Sequence, residues 1–166
     1  MPLLGDRAAR VAAQDVEELT HAVRDRCLCL HLQRAARIVA RRFDLAFAPL
    51  GLTNGQFSLL ASINRPEPPR LSDIAPVLGM DRSTVTAALK PLERRGLVES
   101  RPDPQDRRNR RIALTEAGVA LMMRALPIWQ AEHDALDAEM PEEDPALLRS
   151  ALARLSLDVK PLRPKT

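Results

Sequence analysis

Residues 71–115 read LSDIAPVLGMDRSTVTAALKPLERRGLVESRPDPQDRRNRRIALT. Ser72 stands where it can cap a helix Asp73–Leu78, with Leu71 as a short bridge strand before it. Gly79, free to adopt a left-handed conformation, ends that helix. Asp81 is placed to cap a second helix, Arg82–Arg95, which Gly96 closes. Leu97–Arg101 and Arg110–Leu114 then read as two strands of a hairpin with Pro102–Asn109 at its tip. Helix, turn, helix and hairpin in that order form a winged helix-turn-helix. Its second helix matches the major groove of duplex DNA and its hairpin lies beside that groove. The expected fold class is mainly α (α+β): a winged helix-turn-helix with long N- and C-terminal dimerisation helices.

Upstream, Thr53 and Gln56 have the spacing of a reciprocal capping box, and Phe57, Leu59, Leu60 and Ile63 give the helix they open a buried side. The proline-rich RPEPPR turn of residues 65–70 ends it. Pro49–Gly51 separates it from a long helix expected from Asp15, paired with Glu18 as a cap, to about Phe47. Val16, Leu19, Val23, Cys27 and Leu30 form one apolar stripe on that helix; Leu28, Leu32, Ala35 and Val39 form another. A single packed neighbour would leave part of so broad an arc wet, so a second partner is implied. Downstream, Thr115 caps a second long helix, which Pro127 is expected to kink, and a last helix covers about Glu142–Leu157. The organisation expected is a flexible arm at 1–14, a helical dimerisation region at 15–50 and 116–158, the winged helix-turn-helix at 52–115 and a frayed tail at 159–166.

Composition narrows the function. The chain is 45% apolar but has one Trp, three Phe and no Tyr, so an aliphatic core is expected. Nine Lys/Arg against four Asp/Glu fall between Arg82 and Arg111, whereas Glu132–Asp144 holds seven Asp/Glu and no Lys/Arg. One end of the molecule is built to meet an anion. No apolar run is long enough to span a membrane and no secretory stretch opens the chain, so a cytoplasmic protein is expected. His21, His31 and His133 are scattered without metal-ligand spacing, so no metal and no cofactor are expected. Without a phosphate-cradling glycine loop or a nucleophile motif, an enzyme is a poor reading.

The candidate recognition-helix residues are Asp81, Arg82, Ser83, Thr84, Thr86 and Lys90. Arg82 can donate a bidentate pair to guanine, Ser83 and Thr84 can bond bases or phosphates, and Lys90 suits a phosphate. The plainer alternatives are a surface ion pair for Arg82 and self-capping for Ser83. Val85, Ala88, Leu89 and Leu92 should form the inner face, against Ile74 and Leu78. Pro91 is unusual inside a helix and should bend it. At the wing, Asp106, Arg107, Arg108 and Arg110 are the candidates. A wing overlies the neighbouring minor groove, which attracts arginine where it is narrow. Asp106 is expected to hold Arg108 through a charge-assisted hydrogen bond.

These residues resemble the multiple-antibiotic-resistance-regulator (MarR) family of bacterial transcription factors. The likeness covers about Asp15 to Leu157. It rests on LERRGLV (Leu92–Val98), the Asp106-x-Arg108 wing signature, LT-x-x-G (Leu114–Gly118) and LTNGQFSLL (Leu52–Leu60). The resemblance implies a homodimer whose terminal helices interleave, two recognition helices meeting successive major grooves of a pseudo-palindromic operator in double-stranded DNA, and Arg108 entering the minor groove. Pro91 departs from the commonest family pattern.

The resemblance also implies a signal, a small aromatic or anionic effector or thiol oxidation. His31, Arg34 and Arg37 are candidates to hold a carboxylate, with ordinary surface or interface pairing as the alternative. Cys27 and Cys29 are candidate redox residues. Two apart on a helix they point about 200° away from one another, which disfavours an intrachain disulfide. The leading expectation is a dimeric sequence-specific regulator, a repressor released by an effector. A thiol-based sensor and a non-specific architectural DNA-binding protein are the alternatives.

Overall fold

The computed structural model describes residues 4–106, 108–140 and 144–156, with side chains from residue 15 onward except that of Ser156. The expected tail at 159–166 lies outside the described residues. The chain divides after Arg42 into two compact units.

The N-terminal unit carries α1 (Leu4–Arg26) and most of α2 (Leu28–Phe47). Two expectations are corrected here. Helix begins at Leu4 and so includes most of the stretch read as an arm; LGDRAARVAAQDV is rich in Ala and Arg, strong helix formers that need no capping pair at Asp15. The single long helix is also interrupted at Cys27. The Leu30 N–H points to Cys27 Sγ at 3.4 Å, so the sulfur takes a capping acceptor's place at the start of α2. The interruption is local, because Cys27 N–H donates to Val23 O at 3.0 Å and His31 N–H to Cys27 O at 3.1 Å. Both apolar stripes are largely exposed: Val16, Leu19 and Val23 keep 63%, 64% and 50% of their surface.

In the second unit, α2 ends on the buried Phe43 and Phe47, and a 3-10 turn Ala48–Leu50 leads to α3 (Asn54–Ile63). The capping box forms as read: Gln56 N–H donates to Thr53 Oγ1 and Thr53 N–H to Gln56 Oε1, each at 3.2 Å. Asp44 adds a second acceptor, taking Asn54 N–H at 2.6 Å. Next come α4 (Leu71–Leu78) and α5 (Arg82–Arg94). Gly79 between them has φ 62°, in the left-handed region, and Met80 N–H closes the turn onto Ala75 O at 3.0 Å. Two details differ from the expectation. The first is that α4 starts two residues earlier, at Leu71, with Arg70 before it. Asp73 reaches back to accept Arg70 N–H at 2.9 Å, so Ser72 lies inside the helix. The second is that the bridge strand is Arg70, paired with Arg111, and not Leu71.

The hairpin pairs β1 (Val98–Pro102) with β2 (Arg110–Leu114), antiparallel, from Val98 opposite Leu114 to Pro102 opposite Arg110. Ile112 N–H donates to Pro69 O at 2.9 Å, so the segment before α4 is stitched to the wing. Thr115 caps α6 (Glu116–Ala138), accepting Gly118 N–H at 3.1 Å. The last described helix is α7 (Pro145–Ser156), which Arg149 ties to Asp137 of α6 at 2.9 Å.

The core under the helix-turn-helix is Leu59, Leu60, Ile63, Ile74, Val85, Leu89, Leu92, Val98 and Ile112, all buried. Each such side chain contributes roughly 1.5–3 kcal/mol by leaving water. The core is not purely aliphatic. All three phenylalanines are buried, and they meet Trp129 and His133 in one chain of rings. Phe47 stacks on Phe57 at 4.8 Å, Phe57 approaches Trp129 at 6.4 Å, and Trp129 meets His133 edge-on at 4.4 Å. The few aromatic residues gather where the end of α2 and α3 meet α6.

Candidate nucleic-acid interface

On α5 the apolar residues Val85, Leu89 and Leu92 turn inward and are buried, which leaves the opposite face to solvent. Arg82, Thr86 and Lys90, at spacings of four, share that outer face. They line a cleft of about 420 Å³ with Ser100, Arg108, Asn109 and Arg110 of the hairpin and with Arg70 and Ser72 at the start of α4. Five cationic side chains (Arg70, Arg82, Lys90, Arg108, Arg110) face one acid, Glu93, across this cleft. Strand alternation builds it: Ser100, Arg110 and Ile112 face the cleft, while Arg101, Arg111 and Ala113 line a separate hollow on the other side of the wing.

Recognition-helix candidates thus fall into two groups. Arg82, Thr86 and Lys90 are in the cleft. Asp81, Ser83 and Thr84 lie exposed at the start of α5, outside the cleft lining. Asp81 occupies the N-cap position, but its side chain makes no capping hydrogen bond. Thr86 Oγ1 donates to Arg82 O at 2.7 Å, which leaves its lone pairs as acceptors. Pro91 faces α3, lining a small hollow with Thr53, Gln56 and Leu59.

At the wing tip Asp106 holds Arg108 by its backbone. Asp106 Oδ1 accepts the Arg108 backbone N–H and Oδ2 accepts Asn109 Nδ2–H, each at 3.0 Å. The acid therefore fixes the turn and leaves the guanidinium without an ion-pair partner among the described residues. Arg110 is tied across the hairpin, donating to Ser100 Oγ and Ser100 O at 2.5 Å. Arg107 lies outside the described residues.

One acid, where β1 passes into the hairpin tip, differs from the exposed charges around it. Asp103 is fully buried. It accepts Gln105 N–H at 2.9 Å and Arg70 Nε–H at 2.5 Å, and Arg111 Nε lies 3.2 Å away without the alignment of a hydrogen bond. The Gln105 N–H, and after it the two arginines, hold its carboxyl down to about 2 against an ordinary 3.8, although burial alone would raise it. Arg70 is pushed up in turn, chiefly by its hydrogen bond to Asp103. The only sequence signal was an Asp–Pro pair at a strand end. Nothing local linked it to Arg70, which is 33 positions away.

The remaining candidates belong to the N-terminal unit. His31, Arg34 and Arg37 lie exposed on α2, and none of them lines the apolar cavity of Phe57, Leu126 and Trp129. Cys29 is exposed and accepts Gln33 Nε2–H at 3.1 Å; Cys27 is half-buried. Both thiols are free.

Comparison with known proteins matches residues 52–109 to the MarR family model. The HTH-type transcriptional regulator PecS of Dickeya dadantii is 30% identical over 127 residues, 75% of this chain and 76% of PecS. The chain belongs to the MarR family. Among solved structures, the Mycobacterium tuberculosis transcriptional regulator MosR in complex with DNA is 35% identical, with a TM-score of 0.71 over 78% of this chain and 93% of that one. The transcriptional repressor CouR bound to a 23-mer DNA duplex is 33% identical, with a TM-score of 0.71 over 78% and 92%. CouR from Rhodococcus jostii RHA1 is also known bound to p-coumaroyl-CoA, at 26% identity and a TM-score of 0.68 over 78% and 91%. MarR-family membership makes this chain a DNA-binding transcriptional regulator of the winged helix-turn-helix type.

Proposed function

We propose that the protein is a homodimeric repressor that reads a pseudo-palindromic operator and releases it when a small molecule binds. The observation that carries the reading is the cationic cleft between α5 and the wing, where Arg82, Thr86, Lys90, Arg108 and Arg110 converge. Phosphates attract all of these cations, but only a side chain reaching base edges gives sequence preference. Arg82 is the candidate for that task. Binding of DNA from upstream of the protein's own gene, with random DNA as competitor, tests it. Arg82→Ala is expected to lose about 1–3 kcal/mol on the specific fragment and less on the competitor, the worth of one bidentate base contact. Equal weakening on both would make Arg82 a phosphate contact only. Wild-type binding that vanishes into the competitor would favour a non-specific architectural protein.

For the effector, an apolar cavity of about 580 Å³ lies between α3, α4 and α6, lined by Phe57, Val77, Leu78, Met122, Leu126 and Trp129. Arg65 also lines it, as a cation able to meet an anionic group. That chemistry fits an aromatic acid or thioester, the class to which the CouR ligand belongs. Because Trp129 is the chain's one tryptophan, saturable quenching of its fluorescence that tracks release of DNA is the expected sign. Release without any change in Trp129 emission would place the effector elsewhere, with His31, Arg34 and Arg37 as the next candidates. The exposure of Cys29 keeps thiol oxidation as a second input. In that case Cys29→Ser, and not an effector, abolishes the response.

A further inference from the structure

We propose that Arg70, which belongs to neither the recognition helix nor the wing, is a third DNA-contacting element, and that the buried Asp103 aims it. The inference rests on the DNA-binding reading of the cleft and extends it. Arg70 lines the same cleft as Arg82, Lys90 and Arg108. Its side chain is one-third exposed, and its Nε is committed to Asp103 at 2.5 Å. An arginine carries five N–H donors in a rigid fork. With Nε engaged, the four donors on the two η nitrogens have no partner among the described residues, and they sit on a guanidinium that borders a cleft built of cations.

Asp103 gives that guanidinium a fixed bearing. The acid is fully buried at the base of the wing and is itself held by Gln105 N–H. Backbone pairing of Arg70 with Arg111 and the Ile112-to-Pro69 hydrogen bond lock the chain on either side. A long, flexible side chain normally loses rotamer freedom on reaching a phosphate. Here most of that loss has occurred on folding, so the contact is preorganised. Asp103 touches no DNA in this arrangement; it is a positioning residue that acts through Arg70. A phosphate is the anion the fork fits, because the cleft's base-reading positions belong to the face of α5.

The prediction needs no operator, since phosphate contacts ignore sequence. The probe is a fluorescein-labelled mixed-sequence duplex of about three helical turns, titrated with the full chain across a salt series. Arg70→Ala is expected to bind about tenfold more weakly at moderate salt. The slope of log K against log salt should fall by about 0.9 for each Arg70 that meets a phosphate. Arg70→Lys should keep the slope and lose part of the affinity, because it keeps the charge but not the Nε bond. Asp103→Asn should also weaken binding, and this loss should disappear in the Arg70→Ala background, because coupled residues fail to add in a double-mutant cycle. An Arg70→Ala protein with the parent's slope overturns the contact, whatever its affinity. An Asp103→Asn loss that persists without Arg70 overturns the positioning role and leaves Asp103 structural. Parent protein that shows no salt-dependent binding to the duplex sinks the DNA-binding reading itself, an outcome distinct from both.

Discussion

Asp103 shows how one residue can set a pH limit. Its carboxyl is held at about 2 in the folded chain against an ordinary 3.8, first by Gln105 N–H and then by Arg70 and Arg111. A carboxyl held below its unfolded-state value stabilises the fold fully above about pH 4, and that contribution is lost as pH falls through about 2. Asp103→Asn keeps the shape and removes the charge. Its melting temperature is expected to lie below the parent's at neutral pH, and the gap should close between about pH 4 and pH 2. Parallel melting curves over that window would show that the carboxylate's charge is not what holds the wing base. The same scale separates Asp106, which is exposed and bonds the backbone of the tip. Its loss should loosen the turn at the tip.

Between elements, the start of α6 lies directly against Leu97, the residue before β1. Leu97 O already accepts Thr115 N–H at 3.1 Å, and a Cβ built on Gly118 would stand 2.1 Å from that oxygen. The LT-x-x-G ending therefore has a physical cause. Thr115 caps the helix and donates to Gly96 O at 2.6 Å, and the glycine lets the helix start rest directly on the backbone of Leu97. Gly118→Ala is expected to cost about 1–3 kcal/mol, since the neighbour is backbone and cannot turn aside. The midpoint of urea unfolding measures it, and an unchanged midpoint would mean that α6 can shift without loss. Element scale is also where local signals worked best and failed most clearly. The Thr53–Gln56 box and the Gly79 turn involve residues within a few positions of one another, so their chemistry is visible in order along the chain. The start of α4 was misplaced because Asp73, and not Ser72, supplied the acceptor. The break at Cys27 was missed because a sulfur seldom competes for a helix N–H.

At the scale of the molecule, the described helices leave apolar surface without cover. Val16, Leu19 and Val23 on α1 are at least half exposed, as are Met123 at 65% on α6 and Leu147 at 61% on α7. Single exposed leucines need no explanation; repeated stripes on the terminal helices are the surface that the proposed homodimer would cover. Leu19→Glu, which places a charge on the first stripe, is expected to sediment at half the parent's mass. It should bind its operator about a hundredfold or more weakly, because two half-sites are no longer engaged together. A variant that keeps the parent's mass and affinity would place the interface elsewhere. Among the described residues no helix is long and apolar enough to cross a membrane.

What the sequence determined by itself was the set of elements that depend on near neighbours. Helical periodicity, the glycine after α4, the capping box, the alternation of the two strands and the basic run from Arg82 to Arg111 each come from residues a few positions apart. These were enough to reach a winged helix-turn-helix and its cationic face. Only the tertiary structure decided which of the cations share one cleft. It alone buried Asp103 beneath the wing, brought Arg70 to it from 33 residues away and gathered the scarce aromatic rings of α2 and α3 against α6. The reason is physical. A hydrogen bond or ring contact between distant residues depends on how the elements pack, and packing is a property of the whole core that no window along the chain contains.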